Sequence, residues 1–409
     1  MSRWAWVWRV VSRRLWFRAA AFSLAAVVLA LLAPLVAPLV PYTLGAKIGA
    51  DAVDNILGII ASSMLAVTTF SLTAMVSAYG AATSNVTPRA VALLVEDSTS
   101  QNALSTFLGA FLFAIVGIIA LSTGFYGEQG RVLLFAGTIA LIGVIVVTLL
   151  RWIQHIALLG RVHDTIKRVE RAGIAAAERM PHRPRIAGLA VPPLPDGARA
   201  VRCGGRIGYV TNIDVAKLGE AMADCGGTVQ LAVLPGSFVD PGRVVAWVVG
   251  GDVGVDARIA EAITVQRDRS FDHDPRFGLI VLSEIASRAL SPAVNDPGTA
   301  IAVLGAQLRV FDRMARVTGQ PADERVVFPA LEIEKLVVDA FRPIGRDGAA
   351  MVEVAIKLQS VLAALGAIAP DWAAAAQHAA EDAKARARAA LTTEEERLAV
   401  VRAFEDWPD

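Results

Sequence analysis

With 409 residues the chain is too long for one compact domain. Its 55% hydrophobic residues and mean hydropathy of +0.52 exclude both an ordinary soluble protein and a chain lying wholly in lipid, so a membrane part joined to a soluble part is expected. The net charge of +1 identifies no partner by itself, and the placement of charge along the chain carries the argument.

Residues 1–18 hold five arginines (Arg3, Arg9, Arg13, Arg14, Arg18) and no acid, interleaved with Trp4, Trp6, Trp8 and Trp16. Trp4, Trp8, Val11 and Leu15 fall on one helical face. This is the pattern of an interfacial helix, with Trp4, Trp8, Arg13 and Arg14 as its membrane anchors. Basic–aromatic interleaving also suits nucleic acid, but an apolar run follows at once and favours lipid. That run, Ala19–Val40, is too long for the core of a cleaved signal peptide and lacks a clear A-x-A site. It is therefore expected to be a retained span, bent at its outer end by Pro34 and Pro38.

Three further spans are expected, within Ala52–Gly80, at Ala103–Phe125 and at Val132–Trp152, making four in all. The basic N-terminus and residues 151–185, with eight Lys/Arg against three acids, flank this membrane part. The loops between the first two and last two spans carry one basic residue each, Lys47 and Arg131. The positive-inside bias then places both termini in the cytoplasm of a bacterium and the spans in its inner (plasma) membrane.

The first, third and fourth spans have no ionisable residue in their interiors, which argues against an ion-coupled carrier. The second is rich in hydroxyls. Ser62, Thr69, Thr73 and Ser77 step by seven, four and four and share a helical face, with Ser63, Thr68 and Ser71 expected to widen it. Such a face packs helices together through small polar residues, or lines a pore where hydroxyls replace part of an ion's hydration. One face cannot enclose a pore, so the second reading requires a homo-oligomer.

Residues 157–180 continue as a basic helix suited to anionic headgroups, broken by MPHRPR. Residues 186–255 switch to short β-type runs and are expected to form a small β-barrel-like module. Within it, NIDVAKLGEAMADCGG (212–227) reads as a helix capped by Asp214 and stopped at Gly226. PGSFVDPGRVVAWV (235–248) reads as a sharp hairpin; no lysine sits near it, which removes the case for a biotin or lipoate carrier. Cys203 and Cys225 are too few for a structural zinc site, and a stable disulfide is not expected in the cytoplasm.

Residues 256–365 are expected to form a helical domain. In FDHDP, Asp272, His273 and Asp274 do not share a helical face, so the stretch reads as a helix-capping segment rather than a metal site. RFGLIVLSEIASRAL (276–290) is amphipathic, and Glu284 and Arg288 are spaced for an i,i+4 pair. Ile301, Leu304, Leu308, Phe311 and Ala315 form a coiled-coil-like seam. Between these helices lies SPAVNDP (291–297). Pro292 stops the first helix, Asp296 caps the second and Pro297 opens it. Ser291, Pro292, Asn295, Asp296 and Pro297 thus make a rigid corner, with a subunit contact or a bound ligand as alternatives. Residues 366–409 read as an alanine-rich surface helix and tail.

The hydroxyl-rich second span, the run NVTPRAVALLVEDSTSQNALSTFLGAF (85–111) and the S-P-x-x-N-D-P corner together resemble a family of bacterial predicted membrane proteins, catalogued only as a domain of unknown function. The likeness covers roughly residues 15–370, and the corner is its most specific mark. Relatives usually carry phenylalanine or threonine after the last proline of the motif, where this chain has Gly298, which loosens the first turn of the following helix. The resemblance implies an integral membrane protein with a cytoplasmic domain and brings no catalytic residues.

The expected architecture is therefore a membrane α-helical part of four transmembrane helices (19–152), preceded by the interfacial segment 1–18. A basic linker helix (153–185) leads to a cytoplasmic α+β region made of the barrel-like module and a helical bundle. No Walker loop, H-E-x-x-H, G-x-S-x-G or paired CxxC occurs, and GGRIGY (204–209) lacks the phosphate-loop lysine. The expected function is an oligomeric channel-like or pore-like protein with an assembly or gating domain; a membrane-anchored structural or sensory scaffold is the alternative. No enzyme activity, cofactor, metal or nucleic-acid partner is expected; the lipid bilayer and further copies of the chain are the expected partners, and any ligand is unknown.

Overall fold

A computed structural model describes residues 15–36, 50–95, 97–124, 128–180, 194, 196–317 and 323–405. Trp4, Trp8, Arg13, Arg14, Pro38, Phe125 and the MPHRPR break after Met180 lie outside these residues. The described chain forms two compact units: one takes in residues 15–84 and 91–161, the other 85–90 and 162–405.

The first unit is built from α1 (Leu15–Val36), α2 (Ala50–Asn85), the short α3 (Val91–Val95), α4 (Ser98–Ser122) and α5 (Glu128–Ile156). Long apolar runs can satisfy their backbone in lipid only by closing helical hydrogen bonds within the segment. Three helices are long and apolar enough to cross a membrane: Ala52–Ser84, Ser98–Ser122 and Gly130–Ile156. In α1 the apolar stretch identified is only Ala19–Val28. The expected span Ala19–Val40 runs on into residues outside the described ones, so the described residues supply three spans and not four.

The 33-residue stretch of α2 measures roughly 50 Å at 1.5 Å per residue, well beyond a hydrocarbon core of roughly 30 Å. The helix runs past the expected limit at Gly80, and only part of its length is needed to cross the core. Leu57, Phe107, Phe113, Leu134 and Trp152 form the buried centre of this unit. Asp97 caps α4, its Oδ2 accepting from the N–H and hydroxyl of Ser100, both at 2.8 Å. His155 Nε2 lies 2.8 Å from the same oxygen and fixes the end of α5 beside the start of α4.

The second unit contains a sheet-bearing region and a helical bundle. In the sheet-bearing region, β1 (Arg199–Arg202), β5 (Val244–Val249), β3 (Thr228–Leu231) and β7 (Val326–Val327) lie in that order in one sheet; β4 (Phe238–Val239), β2 (Gly208–Ile213) and β6 (Ile263–Gln266) form another. Helices α7 (Val215–Cys225) and α8 (Val253–Ala262) complete the region. Leu218, Met222, Val229, Ile259 and Phe328 share one core. The stretch 235–248 is not a hairpin. β4 pairs with β2 while β5 pairs with β1 and β3, so the turn carries the chain from one sheet to the other. Asp240 sets that turn by accepting from the N–H groups of Gly242 and Arg243. The region also outruns its expected limit at residue 255, because β6 and the distant β7 belong to it.

The bundle comprises α6 (Val162–Glu178), α9 (Pro275–Ala289), α10 (Pro297–Ala315), α11 (Ile333–Asp347), α12 (Val352–Ile368), α13 (Ala373–Ala390) and α14 (Glu394–Glu405). Helix α6, expected to run along or away from the membrane, packs on α9 and α10 through Ile166, Val169, Gly173, Ala176 and Ala177. Two of its acids pair with α10: Glu170 takes Arg309 in a two-point fork at 2.6 and 2.8 Å, and Glu178 takes Arg313. The alanine-rich α13, expected as a surface helix, buries Ala376, Ala380, Ala383 and Ala387 on one face; the absence of bulky side chains there permits close packing on α11 and α12. The expected seam on α10 is also shifted. Val303, Leu304, Gln307, Val310, Phe311 and Met314 are buried, whereas Ile301, Leu308 and Ala315 are half-buried. Contacts with α6, α9 and α12 of the same chain fill that surface.

Candidate functional site

On α2, Ser62, Thr69, Thr73 and Ser77 are exposed among the described residues. No described helix of the chain packs over this face. The hydroxyls close on their own helix: Ser62 donates to Gly58 O at 3.0 Å, Thr69 to Leu65 O at 3.0 Å and Thr73 to Thr69 O at 3.0 Å. Thr68 does the same with Met64 O at 2.6 Å. Such bonds let a hydroxyl sit in an apolar medium without an orphaned donor. Leu65, Phe70, Leu72 and Val76 flank the stripe and are exposed as well. Ser71 does not widen the stripe as expected. It stands nine residues after Ser62, half a turn away around the helix, and is fully buried.

The SPAVNDP stretch is a closed turn between α9 and α10. Asn295 N–H and Val294 N–H donate to Ser291 O at 2.9 and 3.0 Å, and Asp296 N–H returns to Ala289 O at 2.8 Å. Asn295 is the one non-glycine residue with positive φ, 50°, among the described residues. Asparagine tolerates the left-handed region better than other side chains, which gives the motif's asparagine a backbone reason. Asp296 caps α10, its Oδ1 accepting from Thr299 N–H at 3.0 Å and its Oδ2 from the Thr299 hydroxyl at 2.6 Å. These bonds hold the Asp296 carboxyl below the usual carboxylate range. The helix start is thus filled by the chain's own carboxylate. Pro292 and Asn295 are exposed, while Ser291 and Pro297 are half-buried. Gly298 leaves room beside Asp296, where a Cβ would meet Oδ1 at 3.3 Å.

Sequence reasoning missed a junction that joins two parts of the family resemblance. Glu284 of α9 does not pair with Arg288. It pairs with Arg89, and Thr87 donates its hydroxyl to Glu284 Oε2 at 3.1 Å. Both partners lie in the NVTPRA stretch directly after α2. Val86, Thr87, Pro88, Arg89, Glu284 and Arg288 line an open depression there. Arg288 has no ion-pair partner among the described residues. The signal was present in NVTPRA, but a partner so distant in sequence cannot be read from helical spacing.

No group of three or more His, Cys, Asp or Glu suited to a metal comes together among the described residues. Asp274 caps α9, accepting from Phe277 N–H at 3.0 Å, and it is clamped by Arg269 Nε and Nη2 at 2.9 and 2.7 Å. Burial pushes its carboxyl above the ordinary range, and Arg269 opposes that shift. Both cysteines are free, and burial pushes the Cys203 thiol up.

Comparison with known proteins gives the same picture of a membrane protein. Residues 12–364 match the family DUF2254, described as a predicted membrane protein. "Uncharacterized protein Rv1290c" of Mycobacterium tuberculosis (strain H37Rv) is 26% identical over 247 residues, which are 58% of this chain and 47% of that protein. "Uncharacterized protein Mb1321c" of Mycobacterium bovis aligns with the same identity and coverage. The chain spans about half the length of these curated relatives. No solved structure matches it. The match over most of its length places the chain in the DUF2254 family of predicted membrane proteins.

Proposed function

We propose that this protein is an oligomeric, pore-forming protein of the bacterial inner membrane, not an enzyme, in which a cytoplasmic domain assembles or gates the membrane helices. The observation that carries the reading is the hydroxyl stripe of α2, which is exposed and covered by no described helix of the same chain. In this reading α1 supplies a fourth span, both termini are cytoplasmic, and copies of α2 surround an axis. The two small sheets around their shared core act as a barrel-like module of the cytoplasmic domain. Gating would run through the covalent link from α2 into Thr87 and Arg89, which the second unit holds by Glu284. Lipid and further copies of the chain are the partners, and nucleic acid is not one.

The test is planar-bilayer recording from protein reconstituted as a verified oligomer. Ion conductance that falls on Thr69→Val or Thr73→Val is expected; silence across ions and voltages would remove the pore. A membrane-anchored scaffold without transport is the second reading. The back-bonded hydroxyls of Ser62, Thr69 and Thr73 favour it, because hydroxyls whose donors are already satisfied can also face lipid. Chemical cross-linking at Ser77→Cys separates the two: a pore reading requires cross-links between copies at this face, and a lipid-facing stripe gives none.

A further inference from the structure

We infer that the groove between α9, α11 and α13 is a binding site for a phosphate-type oxyanion. The groove encloses about 620 Å³, within the usual range for ligand pockets. It lies wholly in the second unit, and the inference stands apart from conduction.

Arg342 and Arg346, one turn apart on α11, and Arg386 on α13 converge on this groove. Their carboxylate partners are too few. Asp382 is held through both oxygens by Arg386, at 2.9 and 3.0 Å, which leaves Arg342 no closer than 3.8 Å. Arg346 forks onto its neighbour Asp347 at 2.6 and 2.9 Å. The two acids that line the groove itself are already engaged: Asp339 by Arg276 at 2.6 Å, and Glu284 by Arg89 and Thr87. Arg346 also sits near enough to Arg386 for the two like charges to repel. An anion between them would remove that repulsion.

A guanidinium presents five donors on two edges. Arg346 and Arg386 each use the Nε–Nη2 edge on a carboxylate, so Nη1 of each has donors left. Such donors suit the flat, multi-oxygen face of a phosphate better than a single halide. The floor of the groove adds Ser283, which is 2% exposed and whose Oγ has no hydrogen-bond partner. Ser62, Thr69 and Thr73 of α2 back-bond to their own helix, and Ser283 does not. Ser287, the next turn along, donates to Asp347 and helps fix the Arg346 fork.

The experiment is isothermal titration calorimetry of the full chain in neutral detergent with inorganic phosphate and pyrophosphate, against sodium chloride at matched ionic strength. A second arm compares thermal melting in nanodiscs of phosphatidylcholine with and without phosphatidic acid. Saturable binding of pyrophosphate is expected, weakened about tenfold or more by Arg346→Gln and by Arg342→Gln, since a charge-assisted hydrogen bond is worth that much in affinity. Arg316→Gln, on a surface away from the groove, should leave it unchanged.

Protection by phosphatidic acid alone, lost in the same variants, would assign the phosphate to a lipid headgroup. Binding in detergent would assign it to a soluble ligand. Should a glutamine variant fail to fold, Arg342→Lys keeps the charge and loses the fork, and is expected to bind with intermediate affinity. The inference is overturned by no saturable response in either arm, by a response equal to that of chloride, or by affinity unchanged in the groove variants.

Discussion

Glu284 and Arg89 pair across a long stretch of sequence, although Arg288 stands one helical turn from Glu284. The choice has a physical basis. Thr87 donates to the second oxygen of the same carboxylate, so Glu284 accepts from two groups of one short segment. A solvated i,i+4 pair with Arg288 would stabilise the helix by only a few tenths of a kcal/mol.

The first prediction concerns that pair. Arg89 and Glu284 side chains are 57% and 29% exposed, so water screens them. A double-mutant cycle of Arg89→Ala and Glu284→Ala by chemical denaturation should give a coupling of about 0.2–1 kcal/mol, shrinking in high salt. The exchanged pair Arg89→Glu with Glu284→Arg should recover part of it. A cycle with zero coupling would mean that the junction does not link the two segments energetically.

The second prediction concerns the crossing of α6 and α9. Gly173 and Gly278 face each other so closely that a Cβ on Gly278 would meet Gly173 Cα at 3.0 Å. That neighbour is backbone and cannot turn aside. Gly278→Ala should destabilise the protein by about 1–3 kcal/mol through overpacking. Gly305→Ala, within α10, meets only the flexible end of Arg309 at 3.4 Å and should be neutral or stabilising by up to about 1 kcal/mol. Thermal melting of both variants would reverse this expectation if Gly305→Ala proved the more harmful.

The features legible in the sequence were the local ones. The caps at Asp214, Asp274 and Asp296 and the left-handed stop at Gly226, with φ 63°, could be read because donor and acceptor lie within a few residues. The three apolar spans were legible for the same reason. Non-local choices were not. The turn at Asp240 looks like a hairpin until its strands choose different sheets. The buried alanine face of α13 could not be read because nothing in its own pattern names the partners that bury it. The groove is not legible in the sequence because Arg342 and Arg346 resemble any solvated stripe until Arg386, from another helix, is brought beside them. The burial of Ser71 is legible in the spacing, since nine residues place it opposite Ser62 on the helix.

The third prediction follows from Asp296. Its folded carboxyl is held low by the Thr299 hydroxyl and then by Thr299 N–H. A lowered folded value means that stabilisation is fully present above the unfolded value, about 3.9, and is lost as pH falls through the folded value. Asp347 and Asp382 act in the same sense. Arg386 holds Asp382 low, while Arg346 and Ser287 outweigh the burial of Asp347. Melting temperature should therefore fall below about pH 4. Asp296→Asn should flatten part of that fall while keeping most of the cap, and Asp296→Ala should cost about 1 kcal/mol at neutral pH. A variant with an unchanged acid limb would show that the cap does not titrate with folding.

The fourth prediction separates the proposed pore from a purely structural α2. Thr69 and Thr73 are exposed and bonded to their own helix, so replacing each by the near-isosteric valine removes no packing and orphans no buried partner. A back-bonded hydroxyl slightly weakens a helix, and valine has a similar helix propensity. Stability of Thr69→Val and Thr73→Val should therefore stay within about 0.5 kcal/mol of the parent, the usual range for surface substitutions. Conductance in bilayers should nevertheless drop, because the substitution replaces a hydroxyl that could meet a passing ion with a methyl group. A large loss of stability in either variant would mean that another copy of the chain packs tightly on this face. The stripe would then be a dry interface, and water would have no path along it.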